Sequence, residues 1–514
     1  MNLPGLRYLT TLTNHIILIE VFNLPITVLG PEAYHTGERK MLSKEEYQIP
    51  DIKYMFEKSA EKYGERPAFW VKKDKAEAYF AITYNEAYDD VRGLGTSLIS
   101  RGMKDKRIAI VGKNSYEWAV SYLAAICGTG VAVPLDKEFC TNQLKHFLIA
   151  TGCSCAIFSE ELEETFRQIR NDGVTGLEML VNMDKEKSEW DIFSLRELID
   201  EGKQMATSGN HDFTSTRIIP DELCAIMFTA GTTGVSKGVY LSHGNLAAEI
   251  TLVSAVINIA ESDMFFTKLP LHCARECICG ILLPLYNGAS ITYCEGLNYN
   301  FEISAMRGYS LTESASIVML NLDNESAGRL LPEMKAKIAC PEPETGIGEL
   351  CLAGENIMMG YCDNPEATAE ALKEGWLYTG DLGRIDEKGS IYIAGRKENV
   401  IIAENGKNVY PEELENCLIS ITYVLESMVW SKDSDDGRAP VIAATILANK
   451  EKVTERLGAG YSEQEMEKLL WDEISKINDT LPFFKRIKKM VLRKEAFQKN
   501  SSQKIIRWYP SNRE

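Results

Sequence analysis

The run Met227-Phe-Thr-Ala-Gly-Thr-Thr-Gly-Val-Ser-Lys-Gly-Val-Tyr240 leads from an apolar strand into a loop of threonines and glycines with one lysine, and Ser242-His-Gly-Asn-Leu246 follows it. Such a loop can grip polyphosphate. Gly231 and Gly234 let the backbone approach phosphate oxygens, Thr229, Thr232 and Thr233 offer hydroxyl donors, and Lys237 supplies a cation. A Walker loop is the rival pattern, but it needs Gly-Lys followed directly by Ser or Thr, whereas Lys237 lies between Ser236 and Gly238. A plain Gly/Thr turn between two elements is the other reading of the loop alone.

Further motifs follow in order: Gly308-Tyr-Ser-Leu-Thr-Glu313, Trp376-Leu-Tyr-Thr-Gly-Asp-Leu-Gly383, Gly395-Arg-Lys-Glu-Asn-Val-Ile-Ile402, Gly406-Lys-Asn-Val-Tyr-Pro-Glu-Glu-Leu-Glu415 and Gln503-Lys-Ile-Ile-Arg507. Taken together in this order, they resemble the signature set of the adenylate-forming superfamily: acyl-CoA synthetases, luciferases and peptide-synthetase adenylation domains. Leu269-Pro-Leu-His-Cys273 and Pro284-Leu-Tyr-Asn-Gly-Ala-Ser-Ile-Thr-Tyr293 are most similar to bacterial long-chain fatty acid-CoA ligases.

That resemblance implies an enzyme that joins a carboxylic acid to ATP, expels pyrophosphate and passes the acyl group to coenzyme A. Bringing two anions together is the main obstacle, so electrostatic preorganisation is the dominant requirement. By resemblance, the loop from Thr229 to Lys237 holds the leaving phosphates, Glu313 carries Mg2+, Thr312 touches the α-phosphate and Tyr309 stacks on adenine. Asp381 is implied as the ribose clamp, Arg396 as a further donor to the nucleotide, and Lys504 as the lysine brought onto the carboxylate and α-phosphate oxygens. Thr232, Glu313 and Lys504 are thereby assigned to the chemical step. The C-terminal domain would rotate about a hinge at Arg396-Lys397, with the Gly406 segment lining the pantetheine tunnel. The partners implied are small molecules: a fatty or other carboxylic acid, ATP and coenzyme A. A carrier protein as acceptor, and a catalytically impaired nucleotide-binding remnant, are the alternatives.

Several positions depart from the family pattern. Ser310 stands where Gly is usual, Ala230 replaces a common Ser, Asn500 and Gln503 replace the Thr and Gly ahead of Lys504, and Cys273 takes the place of a histidine. The largest departure is an absence. Gly231 and Glu313 are only 82 positions apart, and Asn298-Tyr-Asn300 runs straight into Phe301-Glu-Ile-Ser. An internal deletion near residues 300–301 is therefore expected, removing the Gly-Ala-rich adenine wall and much of the acyl tunnel that relatives possess.

These residues need a scaffold to position them. At 514 residues, 45% hydrophobic and 25% charged, the chain can hold two or three domains with substantial cores. Its net charge of −18 opposes nucleic acid and anionic membrane surfaces. The basic stretch Phe483-Phe-Lys-Arg-Ile-Lys-Lys489 reads either as a solvated face or as a contact for the phosphates of coenzyme A. Thirteen scattered cysteines suggest reduced thiols in a cytoplasmic protein. His272, Cys273, Cys277 and Cys279 form the tightest cluster; a soft-metal site is conceivable, but the spacing fits no common zinc pattern, and buried cysteines often serve as small apolar residues.

Apolar runs alternate with helical patterns from Arg107 onward, through Val131–Pro134, Cys155–Phe158, Glu178–Val181 and Cys224–Phe228. The expectation is an α/β fold: a large multi-subdomain adenylation domain with a layered α/β body and a β-rich subdomain, followed by a small mobile α+β domain. We divide the chain into an atypical extension at 1–40, an adenylation domain at 41–397 and a mobile domain at 398–514. The apolar stretch His15–Leu29 is interrupted by Glu20, Asn23 and Pro25, which makes it a poor membrane span and a poor signal core.

Overall fold

The computed structural model describes residues 16–17, 49–72, 79–173, 175–189, 191–229, 236–267, 269–293, 307–321, 326–403, 406–432, 441–500 and 504–513. It is an α/β molecule, and its residues cluster into two compact units. The first takes the chain through Thr229, Lys237–Lys335 and Leu352–Leu377; the second takes mainly Ala336–Cys351 and everything from Tyr378 on. Residues 1–15, the junction at 300–301 and most of the Thr/Gly loop lie outside the described residues.

An eight-stranded sheet is the centre of the first unit. Its order is Gly360–Tyr361, Gly238–Ser242, Leu223–Phe228, Gly130–Leu135, Lys106–Val111, Cys153–Phe158, Met179–Asn182 and Phe193–Ser194. The last six are parallel, and Gly238–Ser242 and Gly360–Tyr361 add antiparallel at one edge. Parallel strands covered on both faces read as continuous apolar runs. Cys153–Phe158 is buried at all six positions, and Val111, Val133, Phe158, Phe166 and Ile226 belong to one core cluster. A five-stranded sheet sets Met264–Thr267 and Ser290–Tyr293 parallel to each other and beside Pro67–Lys72. Arg307–Ser310, Ile317–Asn321 and Arg329–Leu330 make a separate antiparallel sheet.

Local chemistry sets the helix starts. Ser115 accepts from the Trp118 N–H and opens Tyr116–Ala124, while Ser242 and Asn245 cap each other reciprocally at the start of His243–Val256. The helix Tyr116–Ala124 leaves α geometry at Ala125. Gly128 sits at φ 145°, where a Cβ would be strained and would meet the Phe213 carbonyl at 3.3 Å.

The second unit holds most of Lys335–Ala339, Gly348–Ala353 and Trp376–Ile385, with Ile391–Arg396 antiparallel to the last of these. Next come the short hairpin Ile401–Ile402 with Asn408–Val409 and the three-stranded sheet Val424–Lys432, Val441–Ala448, Lys489–Arg493. Pro411 begins its helix, at the one turn where a missing N–H costs nothing, and Leu414 and Leu418 project from that helix into a core with Val429, Ile446, Leu470 and Ile474. The expected division at Lys397 thus falls inside this packed unit. Among the described residues no helix is long and apolar enough to cross a membrane.

Candidate functional site

The Thr/Gly loop joins two antiparallel strands. Phe228 pairs with Gly238, and the loop is closed by a reciprocal pair: the Thr229 N–H donates to the Lys237 carbonyl at 2.9 Å, and the Lys237 N–H donates to Thr229 Oγ1 at 3.1 Å. A Walker loop runs from a strand into a helix, so the hairpin connection removes that rival on topology as well as on spacing. Gly231, Thr232, Thr233 and Gly234 lie outside the described residues; Thr229 and Lys237 hold the two ends of their loop.

Strand pairing brings a tyrosine to this hairpin. Val239 pairs with Tyr361, and the Lys237 ammonium lies 4.8 Å from the centre of the Tyr361 ring. The Tyr361 hydroxyl donates to Glu313 Oε1 at 2.9 Å. Lys237, Tyr361 and Glu313 therefore form one cluster within the first unit, and among the described residues Glu313 makes no ion pair. Glu313 and Thr312 lie on a single 3-10 turn, Thr312–Ser314, and are partly exposed. The turn ends at Ala315, held at φ 62°, a left-handed conformation that a residue with a Cβ adopts only when its surroundings impose it. A lone, partly exposed carboxylate fits Mg2+, which takes one or two protein carboxylates and completes its octahedron with phosphate and water oxygens. Tyr309, expected against adenine, sits one strand earlier, pairs across to Met319 and is 4% exposed.

A second cluster lies within the other unit. Asp381 pairs across the strands with Arg396, and Arg396 Nε stands 2.7 Å from Asp381 Oδ1. Thr379 Oγ1 accepts from the Asp381 N–H, and Glu349 receives both the Gly380 N–H and the Lys397 ammonium. Asp381 is buried at 5% exposure, whereas Arg396 is about a third exposed. Gly406 takes φ 75° in the hairpin turn, donates to the Ala403 carbonyl and has nothing within 4 Å of where a side chain would start.

Lys504 is exposed and tied to Asn500, whose Oδ1 accepts the Lys504 N–H at 2.9 Å and whose N–H donates to the Lys504 carbonyl at 3.0 Å. The unusual asparagine thus ties the lysine's backbone directly. Arg507 is an anchor: it donates to the Val429 carbonyl and pairs with Glu412 and Glu415.

His272 faces Asp136, with Nε2 3.5 Å from Oδ2, while burial lowers its imidazole. Cys277 and Cys279 are buried in the core, and burial raises both thiols. No group of three or more His, Cys, Asp or Glu converges as metal ligands among the described residues.

Sequence reasoning missed two residues around Glu313: Tyr361, which meets its carboxylate, and Glu249, which accepts from Ile317 just after its turn. Tyr361 was invisible because only strand pairing puts it there. Glu249 did leave a signal, an acid inside the apolar helical run Leu246–Val256.

The family model described as AMP-binding enzyme matches residues 56–306. Those residues, just under half of the chain, are similar to AMP-binding enzymes. A long-chain-fatty-acid–CoA ligase of Escherichia coli O6:H1 is 23% identical over 462 residues, covering 71% of this chain and 80% of that protein. The 4-coumarate-CoA ligase 1 of Narcissus pseudonarcissus is 24% identical over 510 residues, covering 83% and 87%. Among solved structures, ATP-bound MatB from Rhodopseudomonas palustris superposes with a TM-score of 0.72 at 21% identity, covering 89% of this chain and 97% of that one. That structure shares the fold. In the first alignment, 71% of 514 residues falls well short of 462 aligned positions, so the relative contributes residues there that this chain lacks.

Proposed function

We propose that this chain is an AMP-forming acid–thiol ligase, which activates a fatty acid as its acyl adenylate and transfers the acyl group to coenzyme A in the cytoplasm. The observation that carries this reading is the Lys237–Tyr361–Glu313 cluster at the neck of the Thr/Gly hairpin: a cation for phosphate and an uncompensated carboxylate for metal, fixed by one phenol. The aliphatic acid is supported by the fatty-acid ligases among the relatives, and the partners are small molecules.

In this reading the backbone and threonines of residues 229–237 hold the β- and γ-phosphates while Lys237 balances their charge. Glu313 would hold Mg2+, which when bound neutralises phosphate charge, and Thr312 donates toward the α-phosphate. Asp381, oriented by Arg396, accepts from the ribose hydroxyls. Lys504 neutralises the attacking carboxylate, so Lys504→Ala should abolish pyrophosphate exchange yet spare thioester formation from supplied acyl adenylate. A hinge at Arg396-Lys397 carries the change between the two half-reactions.

The 82-position interval between Gly231 and Glu313 favours a second reading, in which the nucleotide machinery persists but the adenine and acyl walls are too incomplete for turnover. ATP–pyrophosphate exchange by the purified chain, with its mass verified, separates the two. Exchange stimulated by fatty acids, followed by acyl-CoA formation, supports the ligase; ATP binding without exchange supports the impaired form. Exchange with transfer only to a carrier protein would replace coenzyme A as acceptor.

A further inference from the structure

Helix His243–Val256 is apolar around most of its circumference, as expected for a helix packed on every side, yet it carries Glu249 at zero exposure. An unpaired buried carboxyl is costly, so its partners matter. Glu249 Oε1 accepts the Ile317 N–H at 2.6 Å, and Oε2 accepts from Asn356 Nδ2 at 2.9 Å. Asn356, itself wholly buried, also directs Nδ2 at the Ser314 carbonyl at 3.2 Å.

These contacts converge on the Glu313 turn. Ile317 follows it, Ser314 is part of it, and the Met358 N–H donates to the Glu313 carbonyl at 2.9 Å. Residues 355–361 thus run as a strap. Asn245 Nδ2 holds its start through the Glu355 carbonyl at 2.7 Å, Asn356 and Met358 secure the turn's backbone, and Tyr361 meets the Glu313 carboxylate. A turn that keeps Ala315 at φ 62° needs such outside restraint.

We propose that Glu249 and Asn356 form a buried latch that fixes the Thr312–Ser314 turn and thereby sets the position of Glu313 toward a magnesium-bound nucleotide. Glu249 is a positioning residue: it acts through the turn and touches neither metal nor substrate. The latch rests on the reading of Glu313 as the magnesium residue. Each Glu249 oxygen accepts from an N–H donor, and a carboxyl oxygen keeps acceptor capacity whether or not it carries the proton. Glutamine can offer only one acceptor there and must turn its own NH2 toward the other donor.

The test uses the full chain and two measurements. Calorimetry gives ATP affinity with Mg2+ and with EDTA, and the ratio is the magnesium increment. Hydrogen exchange without ligand reports the backbone of residues 312–317. Glu249→Gln should reduce the magnesium increment about tenfold, the scale of one hydrogen bond lost or misdirected, leave ATP affinity in EDTA unchanged, and speed exchange in the turn. Asn356→Ala should do the same, and the double variant should add little, as expected for members of one network. A folded Glu249→Gln with an unchanged increment, or with normal exchange at 312–317, overturns the latch. A wild type whose exchange is normal but which shows no magnesium increment overturns the assignment of Glu313, and the latch's functional role with it.

Discussion

Glu313 and Asp381 are both carboxylates proposed to serve the nucleotide, yet the two units hold them in opposite ways. Glu313 is partly exposed, and its identified partner is a neutral phenol at 2.9 Å. Asp381 is buried and meets a guanidinium at 2.7 Å across adjacent strands. In the proposed function the first would offer its negative charge to a metal ion, whereas the second, already paired with a guanidinium, would offer direction more than charge. That division suits the two tasks. A metal ion needs uncompensated charge, whereas two ribose hydroxyls need acceptors held at fixed angles.

The contrast is sharpest at Glu313. Glu313→Gln keeps the hydrogen bond from Tyr361 but removes the charge, so magnesium-dependent ATP affinity and any pyrophosphate exchange should fall about a hundredfold or more. Asp381→Ala should weaken ATP by about 1.5–3 kcal/mol, the range for a hydrogen bond to a charged group, while sparing the magnesium increment. Calorimetry decides both. Equal loss of that increment in the two variants would erase the distinction, and unchanged ATP affinity in a folded Asp381→Ala would remove the ribose role.

The next effect concerns pH. Burial lowers the His243 imidazole to about 4 and raises the Glu249 carboxyl to about 8. Between the ordinary values of 4.5 and 6.5 the two effects oppose each other. The unfolded chain binds a proton at His243 that the folded chain refuses, so this contribution to stability rises with pH; the folded chain keeps a proton at Glu249 that the unfolded chain has lost, so this one falls. From 6.5 to about 8 the Glu249 contribution continues alone, amounting to about 2 kcal/mol across the window. Cys279, the thiol beside it, is pushed up to about 12 and stays silent there. Denaturation curves should therefore show stability dropping from pH 6.5 to 8 in the wild type, with that component absent in Glu249→Gln. Parallel slopes would mean that Glu249 is already ionised in the folded chain. The smallest change is Tyr361→Phe, which removes one hydroxyl and should cost about 0.5–1.5 kcal/mol in magnesium-ATP affinity.

What could be read in advance follows from the range of each interaction. The alternation from Arg107 to Phe228 gave the layered α/β body, because strand and helix periods are local properties. The helix Glu463–Thr480 is local in the same way: it opens on a reciprocal cap between Ser462 and Glu465, three positions apart. Strand direction after the Thr/Gly loop was not legible. An apolar strand followed by glycine and lysine looks the same whether the chain continues into a helix or folds back, and only the pairing of Phe228 with Gly238 decides. Tyr361 and Asn356 were hidden for a related reason: each meets Glu313 or its turn from more than forty positions away. Tyr309 was placed by motif, and the burial that strand pairing with Met319 imposes on it had no local signature.

The burial of the thiols has a practical consequence. A thiolate is the form that alkylating reagents attack, and burial keeps Cys127, Cys153, Cys155, Cys277 and Cys279 protonated, while Cys140 and Cys340 are exposed. A maleimide pulse on the native chain should mark the exposed pair within the dead time and the buried set only as fast as each region opens. Cys277 and Cys279 lie on the short helical stretch from Ala274 to Leu282, inside the 82-position interval between Gly231 and Glu313, so their labelling rates form a built-in clock for that region. If they label together with global unfolding, this region is as well sealed as the main sheet. If they label ahead of Cys153 and Cys155 in the main sheet, the chain breathes first in the short interval.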